Sequence, residues 1–182
     1  EERVRVEKIE VDNLKAKTLE IITKGKSTPA AQLAQEVLQN FDKVFERVKK
    51  LLYEREEQFR DHRVYKEAYD NLSNYINRAR EKIPMIQQTS LNDKMSIEQS
   101  VAPLESLLNK QAQGELLLEH LQSTSEVVLA STSQNGQEII KNDIKELKQS
   151  FEDLFKEIRL EKEKLENTMV RWRDYKDELE KL

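Results

Sequence analysis

Cysteine is absent from this sequence of 182 residues, which excludes a disulfide framework and any thiolate-held metal site. Glycine and proline are scarce, 3 of each, so the chain has little capacity for the repeated tight turns of a β-rich or mixed fold. It has no glycine-rich phosphate loop and no nucleophile motif, and nothing in it points to an enzyme or to a small-molecule substrate. Long apolar runs are missing as well. None approaches the roughly 18 to 20 residues of a membrane span, and the opening EERVRVEKIE lacks the apolar core of a signal peptide, so no membrane contact is expected of this stretch. The first residue is not Met, as expected of a fragment or a trimmed chain. An excess of one charge is lacking too: 31 basic and 35 acidic residues are interleaved and leave a formal charge of −4. Without a concentrated basic footprint, nucleic acid is not an expected partner.

What is present is charge, at 36%, and hydrophobic residues, at 37%. That balance, with so few turn formers, predicts long amphipathic helices and an all-α fold. The sequence also repeats itself. QNFDKVFERV and QSFEDLFKEI start at positions 39 and 149, 110 residues apart, and the same offset pairs Tyr65-Lys66-Glu67 with Tyr175-Lys176-Asp177 and Leu72 with Leu182. Backward, it pairs the Lys24-Gly25-Lys26 region with Gln134-Asn135-Gly136, so a break between segments recurs at the same interval. A repeat of this kind makes each copy one structural module.

Positions spaced alternately by three and four from Ile144 through Leu147, Phe151, Leu154, Ile158 and Leu165 to Leu182 form a heptad stripe, and the earlier copy runs from Ala34 through Val37, Phe41, Val44, Val48 and Leu51 to Ile83. With no Gly or Pro between Ala34 and Ile83, one nearly continuous helix is predicted from Pro29, with Thr28 as its N-cap. Its end is expected at Pro84. A second helix is expected from near Asn92 or Asp93 to 132, carrying Ile97, Val101, Leu104 and Leu108, then Leu118, Leu121 and Val128 after a slip of register. Pro103 is expected to kink it or mark its true start. Gln137 is expected to open the next helix, which continues to the end of the chain.

Short loops between apolar-striped segments favour antiparallel packing, hence a three-helix bundle with helices at about 59–86, 93–132 and 137–168. The organisation this predicts is a partial unit over 1–58, a complete unit over 59–168 and a continuation into the next over 169–182. By the offset, residues 1 to 24 match only the later part of a second helix, so the first bundle is expected to be incomplete, its stripes lacking a third partner. Apolar area of that kind normally finds cover, from an upstream segment, another copy or a binding partner.

The period near 110, the three helices and the third helix running into the next unit's first resemble spectrin repeats. So do Leu72-Ser73-Asn74-Tyr75-Ile76, where an aromatic precedes an aliphatic, and Gly136-Gln137-Glu138-Ile139-Ile140 at the opening of a third helix. Tyr75 stands where Trp is most common in that pattern, which points to a divergent array. The overall wording looks most like the giant nesprins, with spectraplakins, dystrophin and utrophin as alternatives. The nesprin resemblance implies tandem spectrin-like bundles sharing a long continuous helix, coupling of actin to the nuclear envelope, and a cytoplasmic, cytoskeleton-associated location, at the outer nuclear membrane for a nesprin. It also implies an actin-regulatory partner such as a formin, beside the neighbouring spectrin repeats of the same chain. The alternative family reading is a passive elastic spacer without a partner of its own.

No residue pattern implies a cofactor. The two histidines, His62 and His120, lie in different predicted helices without HxxxH or HExxH spacing, so a structural or surface role is the expectation. Phe41, Phe45, Phe151 and Phe155 sit at buried positions of the stripe and are expected in the core, as is Trp172 at the next junction. The feature that stands out is the polar interruption of the seam at Arg55, Gln58 and His62, where the later copy has Leu165, Thr168 and Trp172. A less buried junction accounts for it. The functional alternative is a docking surface, with Leu52, Tyr53 and Phe59 as apolar anchors among Arg55, Glu56, Arg60, His62 and Arg63.

Overall fold

The computed structural model describes residues 2–24, 28–87 and 94–181, and among them there are five helices and no strand. These are α1 (Glu2–Lys24), α2 (Pro29–Gln87), α3 (Lys94–Asn109), α4 (Gln111–Leu129) and α5 (Gln134–Leu179). The all-α reading therefore stands. The residues group into two compact units, Glu1–Glu57 and Gln58–Leu182, and α2 has residues in both. The expected break around Gly25 and the expected helix start near Asn92 or Asp93 lie outside the described residues, as does Leu182.

In the first unit α2 begins as predicted. The Thr28 hydroxyl accepts the Ala31 N–H at 3.3 Å, satisfying one of the donors a helix start leaves open. Ala31, Ala34, Leu38, Phe41 and Phe45 form the shielded face of this part of α2, and Val11, Lys15, Thr18 and Ile22 that of α1. The Lys15 ammonium pairs with Asp42 and lies 5.6 Å from the centre of the Phe41 ring, while Lys8 lies 5.6 Å from that of Phe45. The rings themselves stack, 6.4 Å apart. Here the predicted core is corrected: Phe41 and Phe45 are only half-buried, and Val37 and Val44, assigned to the same stripe, are both 59% exposed. One neighbouring helix shields the row from Ala31 through Ala34, Leu38 and Phe41 to Phe45, and Val37 and Val44 lie beside that row, outside it.

The second unit has a closed core. Leu72, Ile76 and Ile83 of α2, Ile97 and Leu104 of α3, Leu121 of α4, and Leu154, Phe155 and Ile158 of α5 are almost fully buried in one cluster. Cross-helix pairs give the directions. Tyr65 lies near Asp143, and ten residues on Tyr75 meets Phe151, so α2 and α5 run the same way. Arg159 donates to Gln111, and Lys162 pairs with Glu105, so α3 and α4 run against α5. Three layers thus pack up, down and up, each contributing one apolar stripe, as burial of amphipathic helices requires.

Three sequence expectations change. Pro84 does not end α2, which continues to Gln87. The ring removes one helical donor near the C-terminus, but buried Ile83 and partly buried Ile86 flank it and hold the last turn to the core. Pro103 likewise lies inside α3, between partly buried Val101 and buried Leu104. The helix expected over 93–132 is instead two, separated at Lys110, whose N–H bonds the Leu107 carbonyl in a tight turn. There is also no slip of register: Ile97, Ser100, Leu104, Leu107, Gly114, Leu121, Ser125 and Val128 are all buried at heptad spacing. The missing teeth are small polar or bare residues. Ser100 and Ser125 donate to the carbonyls of Ser96 and Gln122, so neither buried hydroxyl is unpaired.

Gly114 is small for a reason. A Cβ there would lie 2.5 Å from Cε2 of Phe151 and 2.7 Å from Cε1 of Tyr75. The Tyr75 hydroxyl donates to the Lys110 carbonyl at 2.6 Å, so the side chain at the aromatic-aliphatic motif both covers the glycine and ties α2 to the α3–α4 joint. At the other end of α4, the Gln137 side-chain amide donates to the Leu129 and Thr132 carbonyls at 2.9 and 3.0 Å. Gln137 does not open α5, as expected from sequence, but sits in its first turn and closes the end of α4.

Candidate protein-binding surfaces on α2

The eight candidate docking residues all lie on α2 and divide between the units. In the first unit, Leu52 is half-buried, Tyr53 is 62% exposed, and Arg55 and Glu56 are exposed. Leu52, Tyr53 and Glu56 line one shallow hollow with Glu46, Lys49 and Lys50, so three of the four belong to a single surface, with an apolar centre and charges of both signs around it. Arg55 is not part of its lining. In the second unit, Phe59 is 74% exposed, and Arg60, His62 and Arg63 are exposed. Arg63 pairs with Glu67 one turn on, at 3.7 Å. A solvated pair of this kind contributes a few tenths of a kcal/mol and leaves the cation available.

The seam closes just beyond these residues. The Tyr65 hydroxyl is buried and has no hydrogen-bond partner among the described residues. Burial, and after it the negative charge of Asp143 and the neighbouring Tyr69, push its pKa up to about 12. Tyr69 is pushed up by burial first and then by Asp143, Glu146 and Asp70. Tyr75 is raised by burial and Glu115, against a smaller lowering by the Gly114 N–H. These phenols are packing groups held neutral, not acids or bases poised near neutral pH. Both histidines are exposed, and no group of three potential metal ligands occurs among the described residues.

One surface was not foreseen. Arg78 and Lys82 of α2 and Lys110 of the α3–α4 joint line a groove of about 440 Å³, together with the side-chain amides of Asn71, Asn74 and Gln113. No local motif signals it, because Lys110 reaches the α2 cations only through the fold.

No family model and no solved structure matches the chain. Among curated proteins, Muscle-specific protein 300 kDa of Drosophila melanogaster is 59% identical over all 182 residues, and the chain spans about 2% of that protein's length. No described helix is long and apolar enough to cross a membrane. The chain is thus similar, from end to end, to one short segment of a large muscle protein.

Proposed function

We propose that this chain is a non-enzymatic structural segment of a giant cytoskeletal protein, built as consecutive spectrin-like three-helix units that share long helices, over about 1–58, 59–168 and 169–182. The observation that supports this most is α2 itself, 59 residues of unbroken helix contributing to two successive units. A helix that belongs to two modules carries tension from one to the next without a flexible linker, which a chain of independent domains lacks. Similarity to a segment of a large muscle protein agrees with a role of this kind.

On the nesprin resemblance, the parent couples actin to the nuclear envelope, on the cytoplasmic face of the outer nuclear membrane. The segment also recruits an actin regulator such as a formin. Side chains of α2 serve that docking: half-buried Leu52 with exposed Tyr53, Arg55 and Glu56 in the first unit, and exposed Phe59, Arg60, His62 and Arg63 in the second. What favours docking over a passive spacer is Phe59, a ring left 74% exposed among charges where a spacer needs only polar residues.

The test is affinity capture from cytoplasmic extract with mass-spectrometric readout, comparing the chain with an Arg60→Glu, Arg63→Glu variant of equal helicity. A cytoskeletal regulator held by the parent and lost from the variant is the expected result. Capture of nothing above background by either reduces the role to a spacer.

A further inference from the structure

The groove on the second unit points to a ligand that its surroundings do not supply. The chain is slightly acidic, and its charges alternate in sign, with Glu81 between Arg78 and Lys82 in the sequence. Arg78, Lys82 and Lys110 nevertheless share one surface. All three are exposed, they line one groove with no Asp or Glu in its walls, and none of them is in an ion pair among the described residues. The helix termini at the joint do not account for a field here, because the C-terminal end of α3 abuts the N-terminal end of α4 and their partial charges oppose each other.

The groove is longer than its basic part. Lys82 and Leu107 also line a second hollow of about 380 Å³ between α2 and α3, walled by Met85, Ile86 and Pro103. The two therefore adjoin along the seam of α2 with α3 and α4, as one channel-like surface. Its α2 wall runs from Asn71 to Ile86, about 22 Å at about 1.5 Å per residue. One end is cationic with amide donors and acceptors. The other is mainly apolar, with Gln99 and Ser106 also in its lining, and carries Met85, which is 72% exposed.

We infer that this channel binds a linear acidic peptide of a partner protein, six or so residues long if extended at about 3.3 Å each. Its carboxylates, or a phosphate in their place, meet Arg78, Lys82 and Lys110, while Asn71, Asn74 and Gln113 hydrogen-bond its backbone. Adjacent apolar side chains settle against Met85 and Ile86. Length and the apolar end favour a peptide over a small free anion, which would use only one end. A nucleic acid is disfavoured because there are only three cations, and the one ring in the groove lining, Tyr75, is half-buried and tied to the Lys110 carbonyl. This inference is independent of the docking proposed above, since it uses neither the residues near Tyr53 nor those near Phe59.

The test uses the full chain and a fluorescein-labelled peptide of several glutamates followed by two leucines, titrated by fluorescence anisotropy at low and at physiological salt. Saturable binding that weakens with salt is expected. The Arg78→Glu, Lys82→Glu variant is expected to weaken it about tenfold or more, since each change removes an attraction and adds a repulsion. Lys110→Glu gives an independent loss of about threefold to fivefold from the opposite wall. A control, Lys141→Glu, Lys145→Glu, makes the same change in net charge on exposed positions of α5 and should leave affinity unchanged. Equal loss in the groove variant and the control means diffuse electrostatics and overturns the proposal. So does absence of binding by the parent, and so does cosedimentation with phosphatidylserine-containing vesicles in place of peptide binding. Circular dichroism of each variant confirms that the helices are retained.

Discussion

Replacing Gly114 by Ala sets two known effects against each other. Alanine in a helix is more favourable than glycine by up to about 1 kcal/mol, so on local propensity alone the variant gains stability. The added Cβ, however, would lie 2.5 Å from Phe151 and 2.7 Å from Tyr75, and reaching ordinary contact requires each ring to retreat by nearly 1 Å. Neither is free to do so. Phe151 is buried with Phe155 only 4.9 Å away, centre to centre, and Tyr75 is tethered through its hydroxyl to the Lys110 carbonyl. Overpacking against held groups costs about 1–3 kcal/mol, so the net expectation is a loss of about 1 kcal/mol. Urea unfolding followed by circular dichroism should show the midpoint falling by roughly 0.5 M, given a slope of about 2 kcal/mol per molar. Gly114→Ala combined with Phe151→Leu should lose less than the two single changes added together, because the smaller side chain makes room for the methyl. A midpoint that rises in Gly114→Ala would show that propensity wins and that the rings do not hold the joint.

Tyr65→Phe removes a buried hydroxyl that has no hydrogen-bond partner among the described residues and is expected to be neutral or to stabilise by about 1 kcal/mol, whereas Tyr75→Phe breaks a bond to Lys110 and should cost about 1 kcal/mol; thermal unfolding of both variants separates the cases. The Tyr65 pKa, raised to about 12, also fixes a pH dependence. The unfolded phenol ionises first, near 10, so the stability it contributes is fully present below pH 10 and is lost as pH rises towards 12. Ultraviolet titration of phenolate absorbance should show a component appearing only near pH 12 that Tyr65→Phe abolishes. Leu72→Ala, at a fully buried position, should destabilise by about 2–5 kcal/mol in urea unfolding, while Val37→Ala should change stability by less than about 1 kcal/mol. Equal costs for these two would contradict the burial pattern.

Much of the fold could be read from the sequence, and the misses have physical causes. The α5 stripe from Leu147 to Leu165 is apolar at nearly every heptad position and is buried as the spacing requires. The seam of α3 and α4 was misread because Ser100, Gly114 and Ser125 hold it with residues that a search for large apolar side chains passes over. Smallness is a packing requirement that only the partner rings of Tyr75 and Phe151 disclose. Pro84 and Pro103 were weighed on local backbone cost, whereas buried neighbours on either side keep both inside helices. In the first unit a strict heptad over Val37, Val44 and Val48 did not yield burial, since periodicity shows which face could be covered and not how much of it is. Among the candidate docking residues, polarity at Arg55 and His62 foretold exposure, and both are exposed. Phe59 ran against that logic, being apolar and yet the most exposed of the aromatic rings in the two surfaces. The basic groove was invisible for a different reason: Arg78 and Lys110 stand 32 positions apart and meet only when α3 folds back along α2.

Transmission of tension, as proposed above, requires that the helical units unfold cooperatively. The most direct measurement is single-molecule extension of the full chain between handles at its two ends. The second unit, Gln58–Leu182, is expected to unfold in a discrete step, with a gain in length of a few hundred Å as its residues extend towards about 3.3–3.6 Å each. Smooth lengthening without a step, as from helices that uncoil one by one, would contradict it.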